Sequence, residues 1–553
     1  MPPLNKLQKT SLSIAISHAM LIPAHAADIT VTSITDVSAN DNVCSLREAI
    51  ESAENNDSFN SGCITGQDSV PDNIYFDSGV FSGNTTISLS GSGLPTISSE
   101  INIKGVSGLT IDANSNGSVF TVDGGSLTIE TLTISGGSAT FGGGIRASNN
   151  SLIELDAVNL ANNFAGFRGA GIYLRNSSLT LVDSIVSSNT VPAPIDNTVT
   201  NRTSGGGVFA SSSSGTTYNI NINTSTIDSN QAGSGGGIYI SGPLSVSINT
   251  SQVSNNSAAA SGGGMRSYEN TNTEISNSRI FGNHAGFAGG GIMLRDSTLK
   301  INSSSIYDNS AAYIGGGLYV SDSAGLANAE IGNSTFSQNT VGIVNPNTGR
   351  VMRGGAIATR GGSLTINNST LSGNSAAEAG GGISIESYSP FSLVNTIVSG
   401  NSAMNNGNEI HMRFNYSTSL SLNHNLIGES SSSTSQALYN VSLGSNNTTT
   451  TSDGNQPTSL AGILQPLADN GGDTPTHLLA GQSPAINAGD NTVCANSLIE
   501  GVDQRGQNRQ IDTHCDIGAI ELTDEELEQL EQLEQEVFFV IPLPNDKSVI
   551  FGL

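Results

Sequence analysis

Residues 289–309 read GGGIMLRDSTLKINSSSIYDN, and their like recurs nine times along the chain. Each copy opens on a Gly-Gly-Gly-Ile quartet or a close variant and closes on an Asn about 21 residues later. The quartets begin at Gly142, Gly169, Gly205, Gly235, Gly262, Gly289, Gly315, Gly354 and Gly380, in steps of 27, 36, 30, 27, 27, 26, 39 and 26 residues. A self-similar period of this length marks a solenoid, in which each unit buries its apolar face only by stacking on the next.

Two apolar anchors sit in every copy. Three residues after the first glycine come Ile145, Ile172, Val208, Ile238, Met265, Ile292, Leu318, Ile357 and Ile383. Three residues before the Asn come Leu160, Val186, Ile227, Val253, Ile280, Ile306, Phe336, Leu371 and Val398. Between anchors, apolar and polar residues alternate in runs of three to six, the period of short strands. Helical repeats would need three-and-four spacing over ten or more positions, and each of the 65 glycines would weaken such helices by about 1 kcal/mol. About 26 residues suit three short strands and three bends, so the expected fold is all-β, a right-handed single-stranded parallel β-helix.

Successive coils of such a rod lie about 4.8 Å apart, so like residues stack. Asn163, Asn189, Asn230, Asn256, Asn283, Asn309, Asn339, Asn374 and Asn401 would form an amide ladder. Asn also tolerates the left-handed backbone of a tight bend.

The chain has 553 residues, 12% charged, no Trp and a net charge of −27. Nucleic acid is a poor partner for that balance. Residues 1–26 read as an export signal: Lys6 and Lys9, an apolar stretch from Leu12 to Ile22, then Ala24-His25-Ala26. Losing them would bring the net charge to about −29. No stretch approaches the 18 or more apolar residues of a membrane helix.

Four cysteines fit an oxidising destination. Three pairings are open. Cys44–Cys63 and Cys494–Cys515 are favoured, because cysteines at opposite ends of a rod cannot approach within about 7 Å. Metal ligation is the weaker alternative, since no Cys-x-x-Cys or paired histidines stand nearby.

Ser45 and Glu48 make a capping box for a short helix able to cover the first coil. The surrounding Cys44-Ser45-Leu46-Arg47-Glu48-Ala49-Ile50 resembles the Cys-Ser-Leu-Arg-Glu-Ala signature of bacterial exported β-helix proteins. Leu467–Thr474, Ser483–Gly489, Asp503-Gln504-Arg505-Gly506 and Cys515–Glu521 together resemble the choice-of-anchor region (type Q) of that family, with Gln510 where a Pro is usual. The repeats are similar to those of polymorphic outer-membrane proteins, which are adhesins. The resemblance implies an exported surface protein; the repeats themselves report fold more than activity. Adhesins of that class end in a membrane barrel of many ten-residue strands, for which the Ser/Thr/Asn-rich sequence after Ala403 leaves too little chain.

The expected organisation is a signal segment at 1–26, a cap at 27–82, the β-helix at 83–430, an anchor-like region at 431–522 and a tail at 523–553. In the tail, Thr523 and Glu526 cap an acidic helix from Thr523 to Val537, and two apolar runs around Pro544-Asn545-Asp546-Lys547 read as a hairpin. That hairpin is either a sorting element or a cover for the last coil's edge.

A catalytic β-helix would need a basic proton acceptor, often beside a Ca²⁺ site, or two to three carboxylates about 5–9 Å apart. The acidic residues of the coils, among them Asp156, Asp183, Glu274, Asp296, Glu378 and Glu386, are scattered, and no catalytic residue, metal or cofactor is expected. The alternative function remains a polysaccharide lyase or glycoside hydrolase.

The stronger signal is a stripe. Four residues after each first glycine, on the face opposite the inward anchor, come Arg146, Tyr173, Phe209, Tyr239, Arg266, Met293, Tyr319, Ala358 and Ser384; two positions on come Arg175, Tyr268, Arg295 and Arg360. Exposed Tyr and Arg are hot-spot residue types. Tyr173, Phe209, Tyr239, Arg266, Met293, Arg295 and Tyr319 are therefore the expected ligand contacts of a monomeric, non-catalytic binding or adhesion rod. Its partner would be a polysaccharide or a cell-surface protein. Two insertions, about 190–204 and 340–353, enter at the same bend five coils apart, so their roots should share one edge about 24 Å apart. They would flank a trough holding Tyr239, Arg266, Met293 and Tyr319, stiffened by Pro192, Pro194 and Pro346 and made positive by Arg202, Arg350 and Arg353.

Overall fold

The computed structural model describes residues 26–536 apart from 59–61, 68–69, 194–202, 343–351, 388–389, 415–419 and 510–512. Residues 1–25 of the export segment, the apolar hairpin and the middles of both insertions thus lie outside the described residues. From Asp28 to Thr449 the chain forms a right-handed parallel β-helix. One coil shows the plan: Ile238–Ser241 joins sheet I, Leu244–Asn249 sheet II, Gln252–Ser254 sheet III, and Ser257–Ala258 a short sheet IV. Sheets I, II and III hold 13, 14 and 14 strands, each pairing with its equivalent one coil away. Both sets of nine apolar anchors are fully buried along the axis. Sheet II starts at Asp28–Val31 and Asp72–Phe76, so the segment expected as a cap supplies its first two strands.

The amide ladder is present. From Asn163 to Asn374 each Asn Nδ2 donates to the next coil's Asn Oδ1, as in Asn256 to Asn283 at 3.0 Å and Asn283 to Asn309 at 2.9 Å. The same oxygen accepts the backbone N–H of the preceding Asn. One expectation needs correction: the left-handed residue at this bend is the one before the Asn, for example Asn255, Asp308 or Gln338, with φ of 53°, 53° and 57°. The ladder Asn is thereby free to point inward. The quartet is glycine for two reasons. Gly262 has φ +69°, and a Cβ on Gly264 would lie 2.8 Å from the Gly291 carbonyl and 3.0 Å from the Asn283 amide carbon. The third glycine is thus the space that the amide ladder fills.

A second ladder escaped the sequence reading. At the bend between sheets II and III the backbone N–H groups of Ser184, Ser225, Ser251, Ser278 and Ser304 each donate to the next coil's Ser Oγ at 3.0–3.2 Å. A tenth repeat was also missed, Gly407-Asn408-Glu409-Ile410, whose Ile410 pairs with Ile383.

At the N-terminal end, α1 (Leu46–Asn55) carries the expected capping box. Its Glu54 carboxylate accepts from the backbone N–H groups of Ser98 and Ser99, which covers the start of the rod. The structure joins Cys44 to Cys63 and Cys494 to Cys515, with Cα atoms 4.7 and 6.7 Å apart.

The C-terminal region does more than close the far end: it turns back along sheet III. The carbonyl of Asp473 accepts from Arg279 Nε at 2.7 Å, Thr335 Oγ1 donates to Gln504, His477 bonds Ser337, and Arg509 donates to Asn333. Hence Thr335, Ser337, Thr370 and Ser372, outward on sheet III, are buried. Helix Asp524–Glu536 begins at the expected cap, where Thr523 Oγ1 accepts from Glu526 N–H, and the Glu526 side chain pairs with Arg505. No described helix is long and apolar enough to cross a membrane.

Candidate ligand-binding face

Sheet I stacks the outward row in strict register: Arg146, Tyr173, Phe209, Tyr239, Arg266, Met293, Tyr319, Ala358, Ser384 and His411 are successive partners. Tyr173 and Phe209 stack at 5.3 Å and 4°, Phe209 and Tyr239 at 5.3 Å and 10°. The Arg266 guanidinium continues the column over Tyr239 at 5.6 Å and donates to Ser234 Oγ.

The exposure expected of this row is corrected. Tyr173, Phe209, Tyr239, Arg266, Met293 and Tyr319 are only 2–8% exposed, while Arg295 is half-buried and paired with Asp296. The cause is the first glycine of each quartet. Its left-handed bend folds the preceding segment over the strand, so that a Cβ on Gly235 would lie 2.8 Å from Tyr239 Cβ. The residues just before the quartets form a ladder of their own, and two of them, Ala288 and Ile314, pack against Met293, Tyr319 and Ala358. Burial raises the Tyr239 and Tyr319 hydroxyl pKa and lowers that of Arg266. The proposed trough over these four residues is therefore filled. Tyr239→Ala is expected to cost about 2 kcal/mol rather than the under 0.5 of an exposed site, read from the urea midpoint.

The row opens at its N-terminal end. A cleft of about 770 Å³ is lined by Phe141, Arg146, Phe167, Arg168, Tyr173 and Arg175, with Asp123 and Ser211–Ser213 at its rim. Arg146 and Arg175 are exposed, as is Phe167 at 45%. The Phe141 ring lies 6.0 Å from Phe167 and 5.1 Å from Tyr173, and Arg168 sits 5.0 Å over the Phe209 ring. Asp123 accepts from Ser148 Oγ and Asn149 Nδ2. Of these residues the sequence reading had placed Arg146, Tyr173 and Arg175 in the stripe. It missed Phe141 and Arg168, whose signal was available: each immediately precedes a quartet, and the two are register partners.

The insertions do leave one edge. Thr190 pairs with Gln231, and Thr340–Val341 stands in the same sheet IV column, which runs Gln231, Ser257, His284, Ser310, Thr340. The returning ends meet again one residue before a quartet, at Ser204 and Arg353. Pro194, Arg202, Pro346 and Arg350 lie outside the described residues. Arg353 adds no free positive charge, since its guanidinium bridges Glu378 at 2.8 Å and Glu386 at 2.9 Å.

That bridge defines the far end of the face. Glu386 accepts from Ser384 Oγ at 2.6 Å, and His411 lies 3.3 Å from the same hydroxyl, its ring stacked on Tyr439. Burial and the Arg353 charge push the His411 pKa down to about 4, which leaves the imidazole neutral at pH 7. The two carboxylates are held as arginine partners, an arrangement suited to fixing a loop root. Among the described residues no three His, Cys, Asp or Glu converge as metal ligands.

Comparison with known proteins finds a match between residues 195–352 and the family model of the right-handed β-helix region. No curated protein matches the chain.

Proposed function

We propose that the chain is an exported, non-catalytic binding protein that engages a glycan or a surface protein through the outer face of sheet I. The observation that carries this reading is the open cleft at the start of the stacked row. Its aromatic and arginine lining is of the kind that dominates recognition sites. The two disulfides, the signal-like segment 1–26 and the resemblance of the chain's ends to exported choice-of-anchor proteins support a destination outside the cytoplasm. The rest of the row serves as scaffold: its rings bury one another and hold the cleft's floor at fixed height.

A glycan-array screen of the mature chain, run beside an assay for released reducing ends, tests the reading. Binding should be lost by at least about tenfold in Phe167→Ala, a 45%-exposed ring whose removal should move stability by under about 0.5 kcal/mol. Release of sugar ends by the unaltered chain would instead establish the lyase or hydrolase alternative.

A further inference from the structure

We propose that the cleft takes an acidic polysaccharide of sparse charge, whose carboxylate or sulfate groups are held by Arg146, Arg168 and Arg175 while its sugar rings lie on Phe167. The proposal rests on the reading of this face as a glycan-binding surface and names the chemistry of its ligand.

Charge carries the argument first. A chain with 46 acidic and 19 basic residues has gathered three guanidinium groups around one opening. Of the other arginines, Arg47, Arg295, Arg353, Arg505 and Arg509 each stand within 4 Å of a carboxylate, while Arg266, Arg279 and Arg413 are held by a ring or a backbone carbonyl. Among the described residues, Arg146, Arg168 and Arg175 have no such partner. Asp123, at the rim, accepts from Ser148 and Asn149, so the lining sets three positive charges against one negative. Three like charges around one opening repel one another, and an entering anion relieves that repulsion.

Geometry narrows the ligand. Arg146 pairs with Tyr173, and Ser148 with Arg175, so the two exposed arginines stand on adjacent strands, offset by two residues. Strand spacing and rise put their Cα atoms about 8 Å apart. Arg168 rises from the segment that folds over the strand and lies on the Phe209 ring, which places cations on both walls. A guanidinium fork binds carboxylate or sulfate oxygens in pairs. Between the walls the exposed Phe167 and the neighbouring Phe141 offer an apolar platform that a simple anion would not use.

The net charge of −27 sets the remaining limit. A dense polyanion such as a nucleic acid, with one charge per roughly 1.7 Å, would be repelled by the body of the rod. A chain with a charge on every second sugar can satisfy the cleft while keeping its other charges few.

The test is direct binding by calorimetry to four probes: an alternating uronate–aminosugar oligosaccharide, dextran sulfate, neutral dextran and poly-glutamate. The first should bind, more weakly as salt is raised through the range that screens exposed pairs. Arg146→Ala and Arg175→Ala should each weaken it by about tenfold, the worth of one charge-assisted contact; both residues are exposed, and an unchanged circular-dichroism melt confirms folding. Binding of dextran sulfate with the same arginine dependence would support the proposal with sulfate as the favoured group. Equal binding of neutral dextran, or arginine variants within about twofold of the parent, would overturn the proposal while Phe167→Ala still reports on the face. Poly-glutamate binding as tightly as the sugar would overturn it in favour of an acidic protein. No binding by any probe overturns the ligand class, and loss of every array signal would overturn the face as well.

Discussion

Asn283→Ala should lower the stability of the rod by about 4 kcal/mol, several times the effect of a surface substitution. The amide of Asn283 makes three kinds of contact at once. Its Oδ1 accepts both the backbone N–H and the Nδ2 of Asn256, each at 3.0 Å, while its Nδ2 donates to Val253 O at 2.8 Å and to Asn309 Oδ1 at 2.9 Å. Alanine removes all of these and strands two donors of Asn256 where water does not reach, since both ladder residues are fully buried. A stranded buried donor costs roughly 1–3 kcal/mol. Equilibrium denaturation of the variant gives the number, and a loss under about 1 kcal/mol would show that the ladder relaxes around a gap.

Glu409→Gln is expected to act in the opposite direction and only above a certain pH. Glu409 occupies the third-glycine position of the tenth repeat, and there its carboxyl ends the amide ladder: Oε2 accepts from Asn401 Nδ2 at 2.6 Å and from Asn401 N–H. Burial, assisted by Glu429, pushes its pKa up to about 8 from an ordinary 4.5. A raised carboxyl favours folding where both states are protonated, below about pH 4.5, and loses that advantage as pH rises through 8. At pH 7 the unfolded state gains by ionising while the folded state holds its proton, which costs about 3 kcal/mol. Glutamine keeps an accepting oxygen and cannot ionise. The variant should therefore match the parent near pH 4.5 and exceed it by about 3–4 kcal/mol at pH 7–8. A parent-like pH slope in the variant would mean that Glu409 ionises without penalty.

The raised Glu409 also shows why that repeat could not be read from the chain. With Asn408 and Glu409 in place of two glycines, and Ser430 where the next ladder Asn would stand, both markers vanish, although the geometry continues through Ile410. The nine regular repeats were legible because their signal is inward: Ile, Gly and Asn face neighbours of their own kind about 26 residues away. Outward contacts left no such mark. Thr335, Ser337, Thr370 and Ser372 alternate with buried anchors as solvent-facing residues do, and what covers them lies more than 130 residues further on. The stripe was placed on the correct face and strand. Its burial was hidden because it follows from a left-handed turn at Gly205, Gly235 or Gly262, and a glycine in a sequence does not say over what it folds the chain.

The return of the C-terminal region along sheet III gives this rod two kinds of assembly. Coil upon coil, closure is nearly local, so each turn can form as soon as the one before it exists. The flank is different: Gln504 reaches back about 200 residues to Ser304 and Ser305, and Asp473 reaches back 194 to Arg279. Contacts across such separations are slow to form. Synthesis delivers this segment late. Until then, the strip from Ser305 to Ser399 stands wet, with its hydroxyls bonded to water. Refolding should accordingly show a fast phase in β-sheet signal and a slower one in the protection of that strip, with the second set by the arrival of a single distant segment.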